Sequence, residues 1–167
     1  MADYDDTKPS CEQIINILPD PFVVIDRGFR IIAANRNYLK HYGYNKASDV
    51  VGRYCYEVSH HVDAPCSQHG EHCPLETVFE TGQATQVMHV HYDRQGGEEH
   101  VQLHSNPLFG GDGKVLYVGE YIYPISKPGD DALLIGRSRP MLRLTGLLQR
   151  VAPTQTSVLL LGESGVG

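Results

Sequence analysis

The longest alternation of apolar and polar residues in the chain, QVMHVHYDRQGGEEHVQLHSNPL, runs from Gln86 to Leu108 on both sides of Gly96-Gly97. A period of two is the signature of a strand with one buried face, and paired glycines between two such runs predict a hairpin. A turn centred on the glycines pairs Met88 with Ser105, Val90 with Leu103 and Tyr92 with Val101, and this apolar set must face the core. His89, His91, His100 and His104 then stand on the outer face. They read first as polar surface, with a metal site, a pH-sensitive patch or a dimer contact as the other uses.

The remaining pattern supplies the other elements. Ser10 caps a short helix, CEQIINIL, with Ile14, Ile15 and Leu18 as its apolar side and Pro19 and Pro21 as its stop. PFVVID (Pro21–Asp26) and RIIAAN (Arg30–Asn35) predict a hairpin about Arg27-Gly28. Asn35 to Gly43 spaces Tyr38, Leu39 and Tyr42 along one helical face. Residues 47–74 show no period, Pro74 to Gly82 reads as a helix with proline at its start and glycine at its end, and Gly110 to Ser126 gives a turn and a last strand. This order predicts an α+β fold, a five-stranded antiparallel sheet with helices on one face. A helical and strand tail follows: Met141, Leu142, Leu144, Leu147 and Leu148 mark a helix and VLLLG a core-type strand. With no sheet partners of its own, Ser157–Leu161 is expected to be loosely held.

Composition narrows the class. The chain has 167 residues, 41% of them hydrophobic, enough for one core and an appendage. No apolar run approaches the roughly 20 residues of a membrane helix, and the acidic start MADYDDTKPS is unlike a signal peptide, so a cytoplasmic protein without membrane association is expected. Residues 1–132 carry 19 acidic and ten basic side chains, whereas 133–167 carry one acidic and four basic. That change of charge marks a seam near Asp130. The expected division is a disordered 1–10, a domain over 11–126, a linker over 127–134 and a separate unit over 135–167.

The candidate chemistry lies in the aperiodic middle. CYEVSHHVDAPCSQHGEHCPL, Cys55 to Leu75, holds three of the four cysteines and four of the nine histidines. In a reducing compartment clustered thiols favour metal binding or redox chemistry over stable disulfides. Cys55, His60, Cys66 and Cys73 form the candidate metal set, spaced Cys-x4-His-x5-Cys-x6-Cys, which suits zinc or an iron–sulfur cluster but lacks the close pairs of a zinc finger. His61, His69 and His72 compete for the imidazole place. Two alternatives stand beside it: cysteines that pack as small hydrophobes with solvated histidines around them, and a reversible Cys66–Cys73 disulfide. Cys11, far upstream, reads as packing.

PFVVIDRGFRIIAANRNYLKHYGY resembles the opening hairpin and helix of a PAS domain, and HYDRQGGEEHVQLHSNPLFGGDGKVLYVGEYIYPIS its closing three strands. The resemblance covers roughly Cys11 to Ser126 and implies a sensor domain with a cavity between sheet and helices, pairing as a homodimer through the sheet and the N-terminal helix. Pro124-Ile125-Ser126 stands where the family usually has an acidic DIT exit. The segment GRYCYEV lacks the Asn and Arg of a light-sensing flavin motif, and Pro74–Gly82 carries no axial histidine for haem, leaving His69 or His72 for that role. Cysteine-bearing loops of the form CYEV…PC…CPL also resemble those of PAS domains from anaerobic bacteria.

LIGRS, VAPT and VLLLGESGVG, in this order, resemble the start of the AAA+ domain of NtrC-like, sigma-54-dependent transcription activators. Gly162, Glu163, Ser164, Gly165, Val166 and Gly167 fit the first six places of a phosphate-binding glycine loop, whose lysine would come next. The resemblance implies that ATP with magnesium, sigma-54 RNA polymerase and DNA are partners of the full-length protein only. Without that lysine and the metal ligands this chain is not expected to be an enzyme. A nucleotide-binding fragment and a structural zinc or dimerisation module are the rival readings.

Overall fold

Strands β1 (Phe22–Asp26), β2 (Ile31–Ala34), β3 (Thr85–Tyr92), β4 (Glu98–Phe109) and β5 (Val115–Pro124) form one antiparallel sheet in the order β2-β1-β5-β4-β3. The computed structural model describes residues 8–125, 139–151, 154–159 and 161–163. The helices follow the caps legible in the chain. Ser10 and Gln13 close a reciprocal capping box on α1 (Cys11–Ile15), and Asn35 caps α2 (Arg36–Tyr42), which ends on left-handed Gly43. Next come α3 (Cys55–Ser59), a 3-10 turn at Cys66–His69, and α4 (Pro74–Thr81), which has proline in its first turn and left-handed Gly82 after its last.

The core forms where β1, β4 and β5 meet these helices. Val23, Ile25, Val101, Leu103, Val118 and Ile122 pack against Tyr38, Tyr42, Val58 and Val78, all nearly inaccessible to solvent. Asn35 joins the two layers: its side-chain oxygen accepts from the backbone of Phe22 (3.0 Å) and Tyr38 (2.8 Å), and its amide donates to Asp20 O at 2.8 Å.

The second hairpin departs from the glycine-centred expectation. β3 pairs with β4 as Val87↔Leu103, His89↔Val101 and His91↔Glu99, a register offset by three residues from the predicted one. The cause is Asp93. Its carboxylate accepts from the backbone of Gln95 (2.8 Å) and Gly97 (2.7 Å), and its own N–H bonds to Gly97 O, so the loop is Arg94-Gln95-Gly96 with only Gly96 left-handed. An odd offset turns every β3 side chain over. His89 and His91 therefore face the core, only 4% and 3% exposed, whereas Met88 is 40% exposed. For β4 the expectation holds: Val101, Leu103 and Ser105 point inward, and His100 and His104 lie on the other row.

In the tail, α5 (Arg139–Val151) forms where the leucine pattern predicts it and lies beside β3. Residues 154–159 and 161–163 form no strand, and Val158, Leu159 and Leu161 are exposed, so the described residues of the run expected to be a core-type strand have no core around them. The predicted linker 127–134 and glycine-loop residues Ser164, Gly165, Val166 and Gly167 lie outside the described residues. Among the described residues no helix is long and apolar enough to cross a membrane.

Candidate functional site

Three short pieces of chain converge under the sheet. The first is the end of α3, where Ser59 Oγ bonds back to Cys55 O and His60 takes the C-terminal capping place; left-handed His61 then turns the chain away. His60 is left pointing inward. The second is the 66–73 segment, whose 3-10 turn ends at left-handed Gly70 and closes with Glu71 N–H on Cys66 O at 3.0 Å. That closure returns Glu71 to the interior beside Cys66, and both are buried. The third is β3, whose register delivers His89 and His91.

Ligand atoms of His60, Cys66, Glu71 and His89 all lie within 4.8 Å of one another. Glu71 Oε2 is 3.4 Å from His60 Nδ1 and 3.8 Å from His89 Nδ1, and His60 Nε2 is 3.3 Å from His89 Nδ1. Donors that share one ion at about 2.0–2.3 Å stand no more than roughly 4.6 Å apart, so small side-chain rotations bring all four to one centre. Two nitrogens, one sulfur and one carboxylate oxygen suit a borderline ion of the zinc type and not calcium or magnesium, which take oxygen throughout.

The surroundings fix the imidazoles. His89 Nε2 donates to the carbonyl of His72 at 2.8 Å, so its Nδ1 is the lone pair aimed at the group. Burial lowers the pKa of His89 to about 4, which keeps the ring neutral and able to ligate. His91 stacks edge-on against His60 at 4.6 Å between centroids and contacts the Tyr42 hydroxyl through Nδ1; its buried Nε2 has no hydrogen-bond partner among the described residues. Burial, then the neighbouring His60 and His89, hold its pKa well below the usual imidazole value.

Of the four residues chosen from spacing, His60 and Cys66 belong to this group; Cys55 and Cys73 do not. Cys55, the first residue of α3, belongs to the hydrophobic cluster, its thiol pushed well above the ordinary range by burial and then by Glu120 and Cys73. Cys73 stands at the N-cap position of α4, and its thiol interacts with that of Cys66, which raises Cys66 and lowers Cys73. Glu71 and His89 take the other two places. Glu71 is one acid among the polar residues of an aperiodic loop, and a glycine-centred turn points His89 outward. His61, His69 and His72 are exposed, His72 bonded to Thr77 Oγ1 and His69 beside Asp63. His91 also lines an open cleft of about 510 Å³ with His41, Glu99, His100, Pro124 and Ile125.

Residues 15–128 match the family model described as the PAS fold. A stretch of 36 residues is 58% identical to the nitrogen fixation protein VnfA of Azotobacter vinelandii, which is 22% of this chain and 7% of that relative. The light-oxygen-voltage protein of Rhodobacter sphaeroides superposes with a TM-score of 0.57 at 14% identity, over 71% of this chain and 66% of its own. The PAS domain of an HTR-like protein from Haloarcula marismortui does so at 0.53 and 18% identity, over 68% and 88%. At such identities the two structures share the fold with this chain.

Proposed function

Since the chain belongs to the PAS fold family, we propose that it is the sensory domain of a sigma-54-dependent transcription regulator whose signal is metal occupancy of His60, Cys66, Glu71 and His89. The convergence of those four buried donors carries the reading. Two imidazoles, a thiol and a carboxyl enclosed together are costly to bury unless a cation gathers them. Zinc fits the donor set best. An iron–sulfur cluster spreads its protein ligands over several metal atoms and takes mostly thiolates, and this group has one thiol within its 4.8 Å span.

The sheet supplies a route outward. His89 pairs with Val101, and Val101 pairs with Pro124, so the site lies in line with the end of β5. Ile125 N–H bonds to His100 O in the same region. An ion that draws the 66–73 segment, the end of α3 and β3 together favours one position of that strand end over another, which is how a ligand shifts a two-state output. In the full-length protein the output would be an ATPase acting on sigma-54 RNA polymerase at DNA, with ATP and magnesium bound there. The relative VnfA and the resemblance of LIGRS, VAPT and VLLLGESGVG support that placement. A second copy would dock on the aliphatic side chains that Ile14, Ile17 and Ile32 expose.

Zinc and cobalt titration of reduced protein tests the reading. One equivalent bound with a thiolate-to-cobalt absorption band, lost in His89→Ala and Cys66→Ser, is expected. Failure to bind either ion stoichiometrically at micromolar protein overturns it.

A further inference from the structure

Cys73 has no place among the four donors, yet its thiol meets the one sulfur that does. Cys66 and Cys73 bracket residues 67–72, of which 67–70 and His72 are exposed and Glu71 is buried. Cys66 O accepts from Glu71 N–H at 3.0 Å, and Ser67 Oγ donates to Glu76 Oε1 at 2.7 Å, folding the loop onto the start of α4, where Cys73 is the cap. The two thiols lie close enough to perturb each other, and both side chains are buried. A disulfide requires Cα atoms within about 7 Å, and a short connecting loop such as 67–72 closes at little entropic cost.

We propose that Cys66 and Cys73 form an oxidisable pair that a peroxide closes to a disulfide, taking the thiolate away from the metal group. The inference rests on the metal reading for its consequence but not for the pair itself. With the ion bound, Cys66 is a thiolate and Cys73 a thiol. One sulfur attacks a peroxide oxygen, the O–O bond breaks, and a sulfenic acid forms with loss of hydroxide or water; the other sulfur displaces the sulfenic oxygen and the S–S bond closes. In sum, a thiolate, a thiol and hydrogen peroxide give a disulfide, one water and one hydroxide: the sulfurs lose two electrons, and the peroxide takes them. A disulfide sulfur is a poor ligand, so three donors remain and the ion leaves. Thiol reductants reverse the step.

The test is hydrogen peroxide added to zinc-loaded and to metal-free protein, with released zinc read by a chromogenic chelator and Cys66–Cys73 linkage read by peptide mass. One zinc released per linkage formed, and rebinding after reduction, is the expected result. Cys73→Ser should bind zinc as the unaltered chain does and release it about tenfold more slowly or worse under peroxide. Cys55→Ser should behave as the unaltered chain, and Cys73→Ala repeats the test should the serine disturb packing. Should the chain bind no zinc yet still form the linkage, the pair is upheld and only the metal reading falls. Zinc retained after the link forms, over-oxidation without any link, or release from Cys73→Ser at the original rate overturns the proposal.

Discussion

Ser105 on β4 donates its hydroxyl to Glu120 on β5 at 2.6 Å, and the two face each other across the ladder with both side chains buried. Burial raises the pKa of Glu120 from 4.5 to about 7, against the opposing pull of the serine. A carboxyl with a folded-state pKa above its unfolded value holds its proton more tightly when folded. Its contribution is therefore constant below the unfolded value, falls by about 1.4 kcal/mol per pH unit across the interval up to about 7, and levels off above it. The whole interval amounts to roughly 3 kcal/mol. Urea midpoints should fall as pH rises through this window, and Glu120→Gln, which keeps an acceptor for Ser105, should flatten the decline. An unchanged slope in that variant would assign the effect elsewhere.

Asn35 has no replacement of equal reach. It satisfies donors on β1 and α2 and a carbonyl before β1, with no exposed surface. Asn35→Ala leaves these groups buried and unpaired at once, so a loss of about 3 kcal/mol in urea unfolding with an unchanged slope is expected. A loss under about 1 kcal/mol would mean that water replaces the amide.

The register of the second hairpin separates two histidines of similar sequence context. His89→Ala should weaken zinc binding by at least about 100-fold, while His104→Ala, on the opposite row, should leave it unaltered. Competition with a chelator of known affinity measures both. Equal effects would return His89 to the outer face.

Tyr42 holds His91 from the far side of the group. Tyr42→Phe removes that partner from a buried ring, and a destabilisation of about 1–2 kcal/mol is expected, together with a shifted His91 imidazole resonance. Should the resonance stay in place, the phenol does not orient the ring.

Most of the architecture is legible because local signals agree with one another. Ser10, Asn35 and Gly43 act as caps, Pro74 and Gly82 bracket a helix, and the strand patterns fall in order. The same holds for half of the candidate donor group: His60 and Cys66 stand out by residue type and clustering. His89 does not, because its face depends on how Asp93 divides its hydrogen bonds, and a carboxylate that caps two backbone N–H groups outweighs a pair of glycines. Glu71 is hidden for another reason. Nothing in its neighbours marks it as interior until the chain reverses at Gly70 and bonds back to Cys66.

That reversal has a kinetic consequence. Cys66, Glu71 and the His72 carbonyl that orients His89 all come from one surface segment, fastened at its outer side by Ser67 and Glu76. A guest ion would escape each time this flap lifts, with the strands still paired, so its dwell time is set by local breathing and not by melting of the domain. Loosening the fastener with Ser67→Ala shortens the dwell and barely moves the melting temperature.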